Sequence, residues 1–534
     1  MASQPQSLAP ASVRTGEFVD SIDPATGATI ERIVATPISE LPDVFRRARE
    51  AQRAWGTVRL IERARRLRKL RDAIYDARDE IVDLISRESG KPRVEAIFAD
   101  LLIALDTADS LSRCALRWLR SERVPHHNLA FKAKSGWLEY APLGVIGIIS
   151  PWNYPFAIPM SQAMAAVVTG NSVVLKPSEL TPAMGTLVGE LFRRAGFPAD
   201  VVQVVQGDGD VGAALVECAP DKVIFTGSVA TGKRVAEACA HRLIPSILEL
   251  GGKDPMLVLA DANLDVASSA AVWGSFTNCG QACLSVERIY VEKSVAERFT
   301  SLCVEKTKRL RVGAASDPDA EVGPMIRLRQ LEKIEDQLRD AVQRGGKILT
   351  GGDRRSDLGA TFLAPTVVVS VDHSMKLMQE ETFGPVLVIC TVDSADQAVA
   401  MANDSSFALS ASVWTRDMRG AGRIGSQLHA GSVMINDLVS YYGMSEVPHG
   451  GRRSSGWGHT HSRLGLLEMV QVKYVDVDRL PRIPKAWWFG YSARLADSAR
   501  GFVDALFAPR WSKRLKAMLK RDGARGVVFR HHRI

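Results

Sequence analysis

The chain has 534 residues, of which 46% are hydrophobic and 24% are charged. This length predicts two or three domains, and the composition is that of a globular protein. No run of about eighteen apolar residues occurs, which excludes a membrane-spanning helix, and residues 1–20 lack the apolar core of a secretory signal. Seven scattered cysteines, an odd number, do not suit a disulfide framework and favour a reducing, cytoplasmic location.

The net charge of +8 is unevenly distributed along the chain. Residues 481–534 hold 13 Lys and Arg against 3 Asp and Glu, a charge of +10, so the first 480 residues sum to −2. The basic character therefore belongs to a C-terminal tail, and no nucleic-acid partner is expected.

The apolar pattern predicts an α/β fold. Residues 39–89 have apolar side chains at helical spacing, and residues 128–142 alternate as strands of a hairpin or extended arm do. Short apolar strands then alternate with helices, the strands lying at 145–149, 172–175, 201–205, 222–225 and 247–250. This alternation predicts a doubly wound parallel sheet that binds ligands at the carboxyl ends of its strands, and a second α/β unit follows Gly252.

Cys283 is the candidate nucleophile. It ends the small-residue turn Gly280-Gln281-Ala282-Cys283, between an apolar run and a strand-like run. A thiolate attacks carbonyl carbon well near neutral pH if its surroundings favour ionisation. The alternative is a small buried hydrophobic residue. Cys279 lies four residues earlier, but no His/Cys cluster completes a metal site, so no metal is expected.

Polar residues at predicted strand ends are the other candidates. Asn153 lies between aromatic residues and prolines, where its amide could stabilise an oxyanion, although asparagine also commonly forms turns. Glu249 precedes two glycines and could act as a general base, or it could be a solvated charge at a strand end. Gly227-Ser228 opens a helix whose backbone N–H groups could bind phosphate, or it is a plain strand-to-helix turn.

Taken together, six ordered motifs resemble those of the aldehyde dehydrogenase superfamily over roughly residues 20–478. They are PWNYP (151–155), LKPSE (175–179), FTGSVATG (225–232), LELGGKDP (248–255), GQAC (280–283) and EETFGP (380–385). The sequence as a whole most resembles a bacterial branch of the superfamily that is succinate-semialdehyde dehydrogenase-like. The resemblance implies oxidation of an aldehyde to a carboxylic acid with NAD(P), through a cysteine thiohemiacetal and thioester.

The resemblance also implies a role for each candidate residue. Cys283 matches the nucleophile, Asn153 the oxyanion donor and Glu249 the base that activates the hydrolytic water. The residues matching cofactor contacts are Lys176 and Glu179 at the adenosine ribose, Trp152, Gly227 and Ser228 near the pyrophosphate, and Glu381 and Phe383 at the nicotinamide ribose and ring.

Two of these residues separate the alternatives for the reaction. Relatives that pass the acyl group to coenzyme A typically lack the base, so Glu249 favours hydrolysis over that alternative. Glu179 would accept ribose hydroxyls and repel a 2′-phosphate, which favours NAD while leaving NADP open. A catalytically silent binding protein on this fold is the second alternative, and the intact Cys283 and Asn153 argue against it.

The closing motif and the substrate side depart from the family pattern. His449 replaces an aromatic residue, and His459-Thr460 replaces Arg-Glu. Semialdehyde enzymes commonly place an arginine shortly after the catalytic asparagine, where this chain has Ile158-Pro159-Met160-Ser161. Arg288 is one candidate for binding a substrate carboxylate. A hydrophobic aliphatic or aromatic aldehyde fits an expected lining of Phe156, Ile158 and Met160 equally well.

The resemblance implies an interleaved organisation. A NAD(P)-binding domain would span 1–124 and 143–251, and a catalytic domain 252–465. Strands at 125–142 and 466–480 would form the small β arm of a homodimer or homotetramer.

The tail at 481–534 is basic and amphipathic. It contains an aromatic cluster, Trp487-Trp488-Phe489-Gly490-Tyr491, and apolar residues at helical spacing around which basic residues gather, namely Lys513, Arg514, Lys516, Lys520 and Arg521. Such a segment can lie on an anionic membrane surface, which predicts peripheral contact with the inner leaflet. The alternative is packing on the catalytic body or on a neighbouring subunit.

Overall fold

A computed structural model describes residues 14–15, 17–128, 131–485 and 487–519. The chain divides into two units, one formed by 1–120 with 140–471 and the other by 121–139 with 472–534. Within the described ranges, no helix is long and apolar enough to cross a membrane.

The strands and helices alternate through most of the chain. The strands are β1 (Arg14–Thr15), β2 (Phe18–Ile22), β3 (Thr29–Val34), β4 (Glu122–Val124), β5 (Lys134–Pro142), β6 (Val145–Ile149), β7 (Ser172–Lys176), β8 (Val202–Val204), β9 (Lys222–Thr226), β10 (Ser246–Glu249), β11 (Asp254–Val258), β12 (Val286–Glu292), β13 (Lys347–Thr350), β14 (Thr366–Val369), β15 (Val386–Val392), β16 (Phe407–Ala408), β17 (Ser410–Trp414), β18 (Ser432–Ile435), β19 (Arg452–Arg453), β20 (Gly456–Trp457) and β21 (Val470–Asp478). The α-helices are α1 (Leu41–Thr57), α2 (Leu60–Asp76), α3 (Arg78–Ser89), α4 (Arg93–Ala96), α5 (Leu102–Trp118), α6 (Ala157–Val168), α7 (Pro182–Arg194), α8 (Gly209–Glu217), α9 (Val229–His241), α10 (Leu264–Phe276), α11 (Lys293–Arg309), α12 (Leu328–Gln343), α13 (Lys376–Gln379), α14 (Ala395–Asn403), α15 (Met418–Gln427), α16 (Ser462–Leu467), α17 (Ala493–Phe507) and α18 (Trp511–Leu519).

The first large sheet has the order β20-β10-β9-β6-β7-β8. All its pairs are parallel except β20, which runs antiparallel to β10. Strands β7 and β9 are buried throughout, which explains their unbroken apolar sequence, since a parallel sheet is covered on both faces. The predicted α/β architecture and the helices at 39–89 are therefore confirmed.

The second large sheet has the order β13-β14-β15-β12-β11-β17-β18 and is parallel apart from β13. The chain enters it directly from the first sheet, since β10 ends at Glu249 and β11 begins at Asp254. The loops that precede the paired strands β12 and β15 carry Cys283 and Glu381. The amino ends of two parallel neighbours meet at one edge, so these two loops lie side by side.

The second unit contains a three-stranded sheet and two helices. The sheet has the order β21-β5-β4, and the helices α17 and α18 pack against each other. The expected arm strands at 125–142 and 466–480 correspond to β5 and β21. The tail residues Lys520 and Arg521 lie outside the described residues. The proposed division into cofactor, catalytic and oligomerisation domains stays a prediction.

Candidate active site

The loop that carries Cys283 has an unusual backbone. Asn278, Cys279 and Gly280 have φ angles of 51°, 57° and 69°, a left-handed run that L-residues seldom adopt. A Cβ at Gly280 would lie 2.1 Å from the carbonyl oxygen of Gly384, so only glycine fits there. The side chain of Asn278 holds the turn, since its Nδ2 donates to the carbonyl oxygens of Asn153 at 2.9 Å and Gln281 at 3.1 Å.

Cys283 is a half-buried residue that lines a cleft. Burial of the surrounding site, with the nearby carboxylate of Glu249, raises the pKa of this thiol above its usual range. Gly252 lies beside it, where a Cβ would come within 2.3 Å of the Cys283 carbonyl oxygen. The thiol is therefore protonated at rest, and its ionisation requires a base or a nearby positive charge.

Asn153 is held from behind by a buried ion pair. The Nζ of Lys91 lies 2.5 Å from Oδ2 of Asp100 and donates to the carbonyl oxygen of Asn153 at 2.9 Å. Neither charged side chain has any solvent exposure. The Nδ2 of Asn153 donates to the carbonyl oxygen of Gln281 at 3.1 Å, two residues before Cys283. The amide is thus fixed next to the cysteine loop.

Glu249 ends β10 with a buried carboxylate. The Thr460 hydroxyl donates to its Oε1, and the Thr226 hydroxyl donates to its Oε2 at 3.4 Å. Burial raises the pKa of Glu249, while these hydrogen bonds oppose the rise. His449 is buried with its Nε2 at 3.9 Å from Oε1 of Glu249 and its Nδ1 at 3.0 Å from the Tyr441 hydroxyl oxygen. Burial lowers the pKa of His449 to about 4, so this histidine is neutral at pH 7.

A second buried ion pair positions the loop of Glu381 and Phe383. Glu287 accepts the backbone N–H groups of Thr382 at 2.8 Å and Phe383 at 3.0 Å, and Nζ of Lys253 lies 2.5 Å from Oε2 of Glu287. Phe383 has a φ of 56°, a left-handed conformation that these contacts hold in place.

Glu381 closes one side of the cleft. Its Oε1 accepts the N–H of Gly252 at 3.1 Å. A Cβ at Gly251 would lie 2.5 Å from the same carboxylate, so glycine is needed there. Burial, reinforced by the neighbouring Glu287, raises the pKa of Glu381 to about 7. Lys333 donates to the carbonyl oxygen of Glu381 at 2.6 Å.

Most of the predicted site residues line this one cleft, which encloses about 770 Å³ of empty space including its open mouth. They are Trp152, Asn153, Gly227, Ser228, Glu249, Cys283, Glu381 and Phe383. Trp152 and Phe383 meet edge to face with ring centroids 5.6 Å apart. Lys176 and Glu179 are not among the lining residues; they lie at the end of β7 with Nζ and Oε2 3.5 Å apart.

The residues present fit a dinucleotide. Ser228 caps the thirteen-residue helix α9 by accepting the N–H of Thr231 at 3.3 Å, so the start of this helix and its dipole face the cleft. The carboxylate of Glu179 is partly exposed and suits a pair of ribose hydroxyls. Burial lowers the pKa of the neighbouring Lys176.

The residues that position the site were missed in the sequence. Lys91, Asp100, Lys253 and Glu287 form the two buried ion pairs, and no motif in the sequence marks charged residues as buried. Gln330 was also missed; its Nε2 donates to the carbonyl oxygens of Thr382 and Phe383.

Three expectations for the substrate side need correction. Arg288 is only 1% exposed, and its guanidinium donates to the carbonyl oxygens of Lys253, Met401 and Ala402. It is therefore committed to the protein interior and cannot bind a substrate carboxylate. Phe156 and Met160 belong to the hydrophobic core, because α6 is buried on nearly all sides, and only Ile158 of the expected trio lines the cleft.

Comparison with known proteins agrees with this geometry. Residues 12–475 match the model of the aldehyde dehydrogenase family. The chain is 37% identical to 4,4′-diapolycopene aldehyde oxidase of Methylomonas sp, over 92% of this chain and 91% of that protein. It is 37% identical to a protein of Mycolicibacterium smegmatis that carries the provisional name succinate-semialdehyde dehydrogenase, NADP(+), over 85% and 88% of the two chains. A solved NAD-dependent aldehyde dehydrogenase from Sinorhizobium meliloti superimposes with a TM-score of 0.84 at 34% identity, covering 88% of this chain and 93% of that one. The chain therefore belongs to the aldehyde dehydrogenase family and is an NAD(P)-dependent oxidoreductase that acts on aldehydes.

Proposed function

We propose that Cys283 attacks the aldehyde carbon and that Asn153 and the backbone N–H of Cys283 bind the resulting oxyanion. The thiol gives its proton to solvent water, and the thiolate sulfur forms a bond to the aldehyde carbon. The carbon–oxygen π bond breaks, so that the oxygen takes the negative charge. Two fixed donors beside that oxygen stabilise the tetrahedral state more than the planar aldehyde. The buried Lys91–Asp100 pair supports this role because it holds Asn153 in place before the substrate arrives.

When bound, NAD(P)⁺ supplies the hydride acceptor and a positive charge near the thiol. Trp152, Gly227 and Ser228 would contact its pyrophosphate side, and Glu381 and Phe383 its nicotinamide side. Lys176 and Glu179 would hold the adenosine ribose. The Glu179 carboxylate repels a 2′-phosphate, so we propose NAD⁺ as the preferred cofactor.

We propose that Glu249 takes a proton from the water that hydrolyses the thioester at Cys283. Both of its carboxylate oxygens accept hydrogen bonds from threonine hydroxyls, which orient the carboxylate and oppose the rise in its pKa that burial causes. A base at this position favours hydrolysis over transfer of the acyl group to coenzyme A.

One observation carries this proposal: Cys283, Asn153 and Glu249 line the same cleft. The test is a rapid-mixing measurement of NADH formation from an aldehyde with and without coenzyme A. We expect a burst followed by steady turnover that coenzyme A does not accelerate. A rate that depends on coenzyme A would favour the acylating alternative, and no reduction of NAD⁺ or NADP⁺ by any aldehyde would favour a silent binding protein.

We propose a hydrophobic aldehyde as the substrate. Ile158 and Leu250 line the cleft, and an apolar cluster at Cys283 contains Leu284, Leu409, Met434 and Tyr441. Arg288, the expected partner of a carboxylate, is unavailable. The similarity to a protein named 4,4′-diapolycopene aldehyde oxidase supports this proposal.

An aldehyde panel tests this substrate class. We expect kcat/KM to rise from short aliphatic to long aliphatic and aromatic aldehydes, because each buried methylene group contributes about 0.8 kcal/mol. A preference for succinic semialdehyde would instead require a carboxylate-binding group, for which Arg327 is the candidate at the cleft.

We propose that the tail docks on an anionic membrane surface. Phe489, which precedes α17, is 91% exposed, and Trp511 and Leu519 on α18 are 70% and 75% exposed; basic residues lie on both α17 and α18. Residues 481–519 hold eight Lys and Arg against two Asp and Glu. Apolar rings beside cations suit the interface of an anionic bilayer.

The similarity to the aldehyde oxidase supports both the proposed apolar substrate and a functional role for the tail. The match to the aldehyde oxidase spans 491 residues, so even a match that began at residue 1 would extend to residue 491 and include the aromatic cluster.

We propose that the three-stranded sheet β21-β5-β4 forms the contact between subunits of a homodimer or homotetramer. The exposed side chains of Val472 and Tyr474 on β21 support this proposal.

A further inference from the structure

A small inner cavity is bordered by Thr460, whose hydroxyl reaches Glu249, and it offers about 20 Å³ to the centre of a water-sized sphere, enough for one water molecule. Its lining combines small, apolar and hydroxyl side chains: Thr107, Leu111, Ser161, Gln162, Ala165, Tyr442, Ser445, Thr460, His461, Ser462, Gly465, Leu466 and Met469. Two buried polar atoms of residues in this lining, Nε2 of His461 and Oε1 of Gln162, have no hydrogen-bond partner. Such atoms are costly to bury unless water or another polar group meets them.

Both atoms end chains of hydrogen bonds that start at Glu249. On one side the Thr460 hydroxyl donates to Oε1 of Glu249, and its oxygen lies 3.1 Å from Nδ1 of His461. On the other side the Thr226 hydroxyl donates to Oε2, and Nε2 of Gln162 donates to the Thr226 oxygen at 3.1 Å.

The direction of these hydrogen bonds fixes what the cavity must supply. Because Thr460 uses its only hydrogen toward Glu249, it must accept from His461, which places the histidine hydrogen on Nδ1. Nε2 of His461 is then an acceptor, and Oε1 of Gln162 is an acceptor by its chemistry. Two acceptors that line one cavity suit a water molecule, which has two hydrogens to donate.

We propose that a water molecule in the inner cavity bridges His461 and Gln162 and closes a hydrogen-bonded ring that positions Glu249. The proposal rests on the proposed role of Glu249 as the base. Every donor in the ring points toward the carboxylate, so the ring stabilises its ionised form and fixes the orientation of both oxygens. Thr460 and His461 are positioning residues here, since they act on the hydrolytic water only through Glu249.

The ionisable groups around the ring form the electrostatic surroundings of Glu249, whose pKa is raised by burial. The ionisable groups facing it are Cys283, Tyr441, Tyr442, His449, His459 and His461. Burial lowers the pKa of both His449 and His461 to about 4 and raises that of Cys283 and Tyr442 well above neutrality. Weakening the ring therefore raises the pKa of Glu249 and moves the acid limb of hydrolysis to higher pH.

Kinetics of Thr460→Val and Thr460→Ser, in the full-length protein, test the ring. Valine has the same shape without the hydroxyl, and serine keeps the hydroxyl. We expect Thr460→Val to retain the NADH burst, to lower steady-state turnover at least about tenfold, and to shift the acid limb of kcat upward by about one pH unit. Thr460→Ser should restore both. Ser161→Ala, which changes the cavity wall outside the ring, should behave as the wild type.

The outcomes separate this inference from the function beneath it. The proposed ring would be contradicted if Thr460→Val had the burst, the steady-state turnover and the pH profile of the wild type. It would also be contradicted if Thr460→Ser had turnover as low as that of Thr460→Val. Absence of a burst in the wild type would instead overturn the proposed covalent mechanism. A crystal structure of the full-length protein gives the direct check: a water peak within hydrogen-bond distance of both Nε2 of His461 and Oε1 of Gln162 is expected, and a cavity without one contradicts the proposal.

Discussion

Beside the residues that line the cleft, charged side chains are buried in pairs, whereas in the C-terminal tail large aromatic side chains face solvent. Lys91 and Asp100 have no exposure, yet each is matched by an opposite charge and further hydrogen bonds. Phe489 is 91% exposed and Trp511 70% exposed. Buried charges are costly unless opposite charges and hydrogen bonds compensate them, and large exposed apolar patches mark interaction sites. The buried pairs support the proposed positioning of the site, and the exposed rings support the proposed contact of the tail with a membrane surface.

Removing the proposed nucleophile should have the largest effect. We expect Cys283→Ala to lower aldehyde-dependent NADH formation by at least about a thousandfold, because no other group can form the thioester. Cys279→Ala is the matched control, since this thiol is buried beside Met325 with its Sγ 3.6 Å from the methionine sulfur. Activity that survives in the Cys283 variant and disappears in the Cys279 variant would show that Cys279 is the nucleophile.

Glu249→Gln should separate the two halves of the reaction. The NADH burst persists, while steady-state turnover falls by about 10²-fold to 10⁴-fold because the hydrolytic water has lost its base. In the wild type, hydrolysis should fall with decreasing pH through the raised pKa of Glu249, since the protonated carboxyl cannot accept a proton. A variant with unchanged turnover would exclude Glu249 as the base.

Breaking the buried Lys91–Asp100 ion pair should lower the stability of the protein. We expect Lys91→Met to lower the free energy of unfolding by about 3–5 kcal/mol, because it leaves Asp100 charged and unpaired in the interior. Urea unfolding measures the change. Lys293→Met, an exposed lysine, is the control and should change stability by less than about 0.5 kcal/mol. Equal stability of the two variants would show that the pair does not support the site.

Substitutions in the tail should change membrane binding and leave the stability of the protein unchanged. The triple substitution of Trp488, Phe489 and Trp511 by alanine should leave urea unfolding unchanged and abolish co-sedimentation with vesicles of anionic phospholipid. Trp273, also about half exposed but in the other unit, provides the control substitution. Negligible vesicle binding by the wild type would refute the membrane proposal. Loss of stability in the triple variant would favour packing on protein instead.

Cofactor choice should show the smallest change. Glu179→Ser removes the charge that repels a 2′-phosphate, so the ratio of kcat/KM for NADP⁺ to that for NAD⁺ should rise about tenfold, equivalent to about 1.4 kcal/mol. The measurement compares the two cofactors with one aldehyde. An unchanged ratio would place cofactor discrimination elsewhere in the site.

The sequence predicted the parts of the molecule that have local signals. Apolar runs predicted β6, β7 and β9, and short motifs predicted which side chains would meet in the cleft. The left-handed run at 278–280 was not predicted beyond its single glycine, because Asn278 and Cys279 are held there by tertiary contacts.

The buried charges could not be predicted in the same way. Lys91 and Asp100 look like surface residues until the fold brings them together, and Glu287 meets Lys253 only across neighbouring strands. The prediction of which residues line the substrate side was wrong for a related reason. Helix α6 is buried on nearly all sides, and its sequence does not show which side meets the cleft.

The central claim is that an acyl group is carried on Cys283 and released through Glu249. Peptide mapping by mass spectrometry of Glu249→Gln, quenched after reaction with a long aliphatic aldehyde and NAD⁺, tests it most directly. We predict a mass increase equal to the acyl group on the peptide that contains Cys283, and only a trace of it in the wild type. NADH formation without an acyl adduct at Cys283, or with the adduct on another cysteine, would contradict the account.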